Sequence, residues 1–188
     1  MNSTHSKFNP AALPAEYMKT FEREKDSLDT EAKTHFLYPG QIFTTSDPTT
    51  ITTILGSCAA ICLWDKRQRI GGMNHYLLAE GDDDGPNRFR YGNNANPALL
   101  EQLISLGCQI KDLQAKIFGG ASAFSIKPEE SLGQKNVELA EEFVHKNGIP
   151  LLLKDVSGSR GRRLSFQTHD GATFIKVFDN PKRDSHGF

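Results

Sequence analysis

The feature that most constrains this chain is a pair of apolar, partly β-branched runs, Ala59 to Trp64 and Ile70 to Leu78, separated by the polar stretch Asp65-Lys66-Arg67-Gln68. Runs of that length on either side of a short polar segment form a β-hairpin. Further strands are signalled by Phe36 to Phe43 (broken at Pro39-Gly40), Ile51 to Leu55, Leu113 to Phe118 and Leu151 to Val156. A second hairpin joins Arg163 to Gln167 with Thr173 to Phe178 through Thr168-His169-Asp170-Gly171.

Only two segments carry a helical period. Asn96-Pro97 reads as an N-cap followed by proline at the first helical position, with Leu99, Leu100, Leu103, Ile104 and Leu106 as the buried stripe that Gly107 ends. Around Gln134 to Lys146 the stripe is Val137, Ala140, Phe143 and Val144, stopping before Gly148. Many strands joined by tight turns, with at least two covering helices, predict an α+β fold with a largely antiparallel sheet.

At 188 residues and 37% apolar content the chain suits one domain with a sizeable core. We expect a polar extension over residues 1–36, in which Ala15 to Lys33 has the composition of a solvated helix, a folded domain over 37–179, and a frayed tail over 180–188. A formal net charge of −1 with intermixed signs provides no global field for nucleic acid or an anionic membrane. No secretory signal or membrane span is seen, and the odd set Cys58, Cys62 and Cys108 argues for free thiols, so a cytoplasmic location is expected.

The hairpin also nominates a site. If its turn is centred between Lys66 and Arg67, Cys58 faces His75, and β-carbons of directly opposed residues lie roughly 4.5–5.5 Å apart, within reach of proton sharing. A register slip, or a bulge at Gly71-Gly72, would change that pairing. Gly56, Ser57, Ala59 and Ala60 leave Cys58 little obstructed, with backbone amides at hand for an oxyanion. Against this, a cysteine on an apolar strand is structural in roughly four cases of five. A metal site on Cys58, Cys62, Cys108 and His75 is disfavoured, because strand residues four apart are separated by ~13 Å. Cys62 and Cys108 read as core thiols and Asp82-Asp83-Asp84 as a solvated loop. Arg160, Arg162 and Arg163 would either grip acidic helices or face solvent.

Four segments, Leu55-Gly56-Ser57-Cys58, Gly71-Gly72-Met73-Asn74-His75, Arg90-Tyr91-Gly92-Asn93 and Lys116-Ile117-Phe118-Gly119-Gly120-Ala121, occur in the order and approximate spacing of the CheD family. Gly133-Gln134-Lys135-Asn136-Val137, Gly148-Ile149-Pro150, Asp155 and Gly161-Arg162-Arg163 extend the resemblance over roughly Tyr38 to Val177. The resemblance implies a fold related to the catalytic domain of cytotoxic necrotising factors and a chemoreceptor glutamine deamidase. It implies Cys58 as nucleophile, His75 as its acid/base partner and Thr52, six residues before the cysteine, as the third member. Glutamines on the cytoplasmic helices of membrane-bound chemoreceptors would become glutamates through a thioester, with no metal or organic cofactor. A CheC-type phosphatase is a further partner it implies. The competing readings are a non-catalytic chemotaxis regulator and an esterase or protease built on the same dyad. Gln134-Lys135, the Asn96-Pro97 helix entry and the long N-terminal extension depart from the family pattern.

Overall fold

The computed structural model describes residues 33–82, 85–122 and 131–178. Most of the suggested helix over Ala15 to Lys33, the tail over 180–188 and Asp83-Asp84 lie outside the described residues. The strands are β1 (Lys33–Phe36), β2 (Gln41–Thr45), β3 (Thr49–Leu55), β4 (Ala59–Asp65), β5 (Ile70–His75), β6 (Leu113–Gly119), β7 (Leu151–Val156), β8 (Arg162–Gln167) and β9 (Thr173–Val177). Among the described residues two α-helices accompany them, α1 (Gly92–Ser105) and α2 (Leu132–Lys146). β1 falls inside the segment expected to lie outside the core.

One sheet has the order β1-β3-β8-β9 and the other β2-β5-β4-β6-β7. Pairing is antiparallel except for β1 with β3 and β6 with β7. Side chains alternate across a strand, which assigns each residue to a layer. Ala60, Cys62, Met73 and Phe118 of the second sheet meet Ile51, Leu55, Leu164 and Phe166 of the first. The opposite face of the second sheet, with Ile61, Leu63, Ile70, Ala115 and Ile117, is covered by Leu99, Leu100 and Leu103 of α1 and by Ala140 and Val144 of α2. The layers run sheet, sheet, helices. The α+β expectation holds.

Gly71 and Gly72 thin the middle of this stack. A β-carbon on Gly71 would meet the Phe166 ring at 3.0 Å, and one on Gly72 would meet Leu99 Cδ1 at 3.0 Å. They admit the neighbouring layers rather than bulging, since the β4–β5 ladder passes through them without interruption.

Two sequence expectations need correction. Asp65 pairs with Ile70, so the hairpin loop is Lys66 to Arg69 and its centre lies one residue later than expected. The cause is Asp65 itself, whose Oδ1 accepts from the amides of Arg67 and Gln68, both at 2.9 Å, making it the last strand residue. Arg69, at φ 58°, closes the turn. Helix α1 begins at Gly92, and Pro97 sits inside it. Its start is set by the chain leaving β5, because the Gly92 and Asn93 amides, unsatisfied within the helix, donate to Leu78 O and Ala79 O at 2.8 and 2.9 Å. Asn96 is buried instead of capping, and Ile104 and Leu106 are exposed, outside the buried stripe. Gly107, at φ 96°, ends the helix as expected.

Candidate active site

Cys58 lies on the short connection between β3 and β4, on the first sheet's side of β4. It is half-buried and packs against the core shared by the two sheets. The connection is held from two directions. Gly120 N donates to Cys58 O and Ala121 N to Gly56 O, each at 2.8 Å. From α2, Asn136 Nδ2 donates to Ser57 O at 2.9 Å. Glycine is required at position 119, whose φ is +109° and where a β-carbon would lie 2.1 Å from Cys58 O. At Gly56 a β-carbon would meet nothing within 4 Å, so the approach to the connection is open.

His75 ends β5 and is 1% exposed. With Cys62 paired to Met73, and Ala59 bridged to Tyr76, the ladder places His75 opposite Ala60 rather than opposite Cys58. The two-residue displacement preserves strand parity, so Cys58 and His75 still share a face as diagonal neighbours, whose α-carbons are typically ~7–8 Å apart. No hydrogen bond joins the two side chains, His75 Nε2 having no partner among the described residues.

The imidazole is anchored by β3. Thr53 Oγ1 lies 2.8 Å from His75 Nδ1 and 2.7 Å from Leu37 O. A hydroxyl has one hydrogen, and the Leu37 carbonyl can only accept, so the threonine oxygen is the acceptor toward the ring. Nδ1 therefore carries the proton. Nε2 is left with its lone pair, buried and without a hydrogen-bond partner among the described residues. Burial lowers the imidazole pKa to about 4 against the raising effect of the Leu37 carbonyl. Burial pushes the Cys58 thiol up, only partly offset by a hydrogen bond from its own backbone amide. Burial thus favours the neutral form of both the thiol and the imidazole.

Thr52 is not brought to this imidazole. It points to the other face of β3, where its hydroxyl lies 3.2 Å from Ser165 Oγ. The residue at the ring is Thr53, which Ile51 and Leu55 bracket on the core face, whereas parity counted from Cys58 through Gly56 had pointed to Thr52.

A family model described as CheD chemotactic sensory transduction matches residues 77–177. A Sulfurimonas denitrificans protein named probable chemoreceptor glutamine deamidase CheD is 36% identical over 148 residues, spanning 78% of this chain and 95% of that one. This chain belongs to the CheD family. An Anaeromyxobacter dehalogenans member of like name is 42% identical over 145 residues, 75% of this chain and 82% of that one. A Rhodospirillum rubrum CheD is 38% identical over 146 residues, 77% of this chain and 82% of that one. Matches of that length within a chain of 188 residues necessarily span Cys58 and His75, although the family-model match begins after both. Among solved structures, a Neisseria meningitidis protein of family DUF152 aligns with 94% of this chain and 86% of its own at 12% identity, with a TM-score of 0.45.

Against that family background, several neighbouring residues have structural roles. Arg162 is buried, and its guanidinium pairs with the Asp155 carboxylate and donates to Ser157 O, pinning the turn before β8. Arg163 is buried as well, leaving Arg160 as the exposed member of the basic cluster, so the three do not form one grip. Cys62 and Cys108 are buried free thiols. Among the described residues no three His, Cys, Asp or Glu side chains gather to hold a metal ion, and no helix is long and apolar enough to cross a membrane. Asn136 lies within the Gly133-Gln134-Lys135-Asn136-Val137 segment, but the sequence alone assigns it no role. Its signal is an amide on the stripe that also carries Ala140 and Val144, at helical spacing.

Proposed function

We propose that this CheD-family chain is a protein-glutamine deamidase that converts chemoreceptor glutamines to glutamates, with Cys58 as nucleophile and His75 as its proton acceptor and donor. The observation that carries the reading is the buried neutral imidazole, tied at Nδ1 by Thr53 and unpartnered at Nε2, on the same sheet face as the half-buried thiol.

Cys58 gives its proton to His75 Nε2 as Sγ attacks the substrate's side-chain amide carbon. The carbonyl π pair moves to oxygen, and the Cys58 amide donates to that oxyanion. Collapse of the tetrahedral species breaks the C–N bond while His75 Nε2 protonates the nitrogen, which leaves as ammonia. A thioester remains on Cys58. Water then loses a proton to Nε2 as it attacks the thioester, the C–S bond breaks, and the departing thiolate takes that proton back. Glutamate is released and the enzyme is restored. Neither half requires a metal or organic cofactor.

Thr53 keeps the Nε2 lone pair available through its bond to Nδ1–H. Thr52, the residue matching the family pattern, acts at one remove by tying β3 to β8 through Ser165, which holds Thr53 in register. The substrate segments are cytoplasmic helices of membrane-bound receptors, to which a cytoplasmic enzyme would come. A CheC-type phosphatase as a second partner rests on the family resemblance alone. The folded domain is taken to span residues 37–179, extended back over β1.

The test is mass spectrometry of a chemoreceptor cytoplasmic fragment after incubation with wild-type protein and with Cys58→Ala. Cys58-dependent conversion of glutamine to glutamate is expected. Well-folded wild-type protein that converts no glutamine on any receptor tried would reject catalysis and favour the binding-only regulator.

A further inference from the structure

The β4–β5 ladder ends abruptly beside the nucleophile. Ala59 and Tyr76 exchange both backbone hydrogen bonds, at 3.1 and 3.0 Å. One step further a regular antiparallel ladder would join Ser57 to Leu78. Instead the Leu77 and Leu78 amides both donate to Arg90 O, at 2.9 and 3.1 Å. The Ser57 carbonyl, freed from the ladder, accepts from Asn136 Nδ2 at 2.9 Å. The same amide nitrogen gives its second hydrogen to Leu77 O, also at 2.9 Å. One side chain thus stands where the two strands part and ties down both edges of the opening.

Asn136 is built to stay there. It is 0% exposed, and its backbone carbonyl accepts from the Tyr76 hydroxyl at 2.5 Å. Its helix is seated closely on the Gly119-Gly120 turn, where a β-carbon on Gly133 would come 2.5 Å from Gly120 O. Its own Oδ1 is buried with no partner among the described residues. A buried amide that leaves half its hydrogen-bonding capacity unused is costly, which argues against mere filling of the core.

The geometric consequence concerns the next peptide. In a trans peptide the C=O and N–H point in opposite directions. Drawing the Ser57 carbonyl toward α2 therefore turns the Cys58 N–H away from the helix. That amide has no acceptor on another residue among the described residues and lies against its own sulfur.

We infer that Asn136 is a positioning residue, whose carboxamide fixes the Ser57–Cys58 peptide and Leu77 so that the Cys58 amide and thiol are presented together to the substrate carbonyl. The inference rests on the proposed role of Cys58. Its test includes a readout that does not depend on the substrate.

Asn136→Asp keeps the shape but offers two carbonyls no donor. We expect kcat to fall by about 10–100-fold with KM within about threefold, as suits misplacement near the reacting atoms. The rate of Cys58 alkylation by iodoacetamide, read by peptide mapping, should fall by a comparable factor. Tyr76→Phe, which removes the hydroxyl that donates to the Asn136 carbonyl and also meets the Asn96 side chain, should lower both rates by about two- to fivefold. A cooperatively melting Asn136→Asp protein with both rates within twofold of wild type overturns the inference. So does a rise in KM alone. If Asn136→Asp does not fold, Tyr76→Phe decides, and unchanged rates in it overturn the inference. Should wild-type protein convert no receptor glutamine, the deamidase reading fails by itself, while the alkylation rates still judge Asn136.

Discussion

The two ends of the β4–β5 hairpin are built on opposite principles. At the closed end polar groups are heavily satisfied. Asp65 takes two backbone amides into its carboxylate, the Gln68 side chain bridges to Gly107 O at 2.5 Å, and Arg69 N donates to Asp65 O at 2.9 Å. Burial works to raise the Asp65 carboxyl, but hydrogen bonds from Gln68, Arg67 and Gln109 outweigh it and hold the pKa below the usual range. At the open end the strands separate, His75 Nε2 and Asn136 Oδ1 are buried without partners among the described residues, and a thiol sits in the gap. One end spends its polar groups on closing a turn. The other holds them in reserve, and unused hydrogen-bonding capacity inside a core is where chemistry is to be sought.

This contrast is sharpened by acid. His75 stays neutral in the folded protein down to about pH 4, whereas in the unfolded chain it protonates near the ordinary imidazole value of about 6.5. The unfolded state therefore binds more protons in that window, and folding stability falls as pH drops from about 6.5 to about 4. The loss is on the order of 3 kcal/mol over the window. Denaturant melts across this range should show it in wild type and a flatter dependence in His75→Gln. Equal slopes would remove the open end's acid sensitivity from His75.

Next in size is the choice between adjacent threonines. Thr53→Val should lower kcat by about 10–100-fold by freeing the ring from its anchored orientation. Thr52→Val should leave kcat within about threefold, because its hydroxyl serves Ser165 on the other face. A reversed order would return the third position to Thr52. At the closed end, Asp65→Ala should cost about 2 kcal/mol in unfolding experiments through the unsatisfied turn amides, with kcat per folded molecule within about twofold. The smallest effect is expected from Arg69→Gly, which relieves a left-handed residue and should add up to about 1 kcal/mol of stability with no change in turnover.

Much of this was legible in the sequence, and what was not has physical causes. Strands β2 to β9 and the two described helices follow from apolar runs and periodicity, whereas β1, Lys33-Thr34-His35-Phe36, carries no such signal and was expected in the extension. The hairpin register was displaced because a capping carboxylate moved Asp65 from loop to strand, which periodicity does not report. Cys58 and His75 nevertheless remained on one face, since a two-residue shift preserves parity. The start of α1 was misplaced because backbone carbonyls of Leu78 and Ala79, rather than a side-chain cap, receive its first amides. Family spacing pointed to Thr52, and so did strand parity counted from Cys58 back through Gly56, but β3 ends at Leu55 and β4 starts at Ala59, so that parity does not carry across the connection and Thr53 meets the ring. Asn136 was hidden because its role depends on two strands parting, an arrangement visible only in three dimensions.

The most direct measurement is acid-quenched mass spectrometry of the protein during turnover of a receptor fragment, with peptide mapping of any covalent adduct. The account predicts a hydroxylamine-sensitive acyl adduct on Cys58, absent from Cys58→Ala, which should also release no ammonia. Glutamine conversion that persists in Cys58→Ala, or an adduct that maps to Cys62 or Cys108, would contradict it.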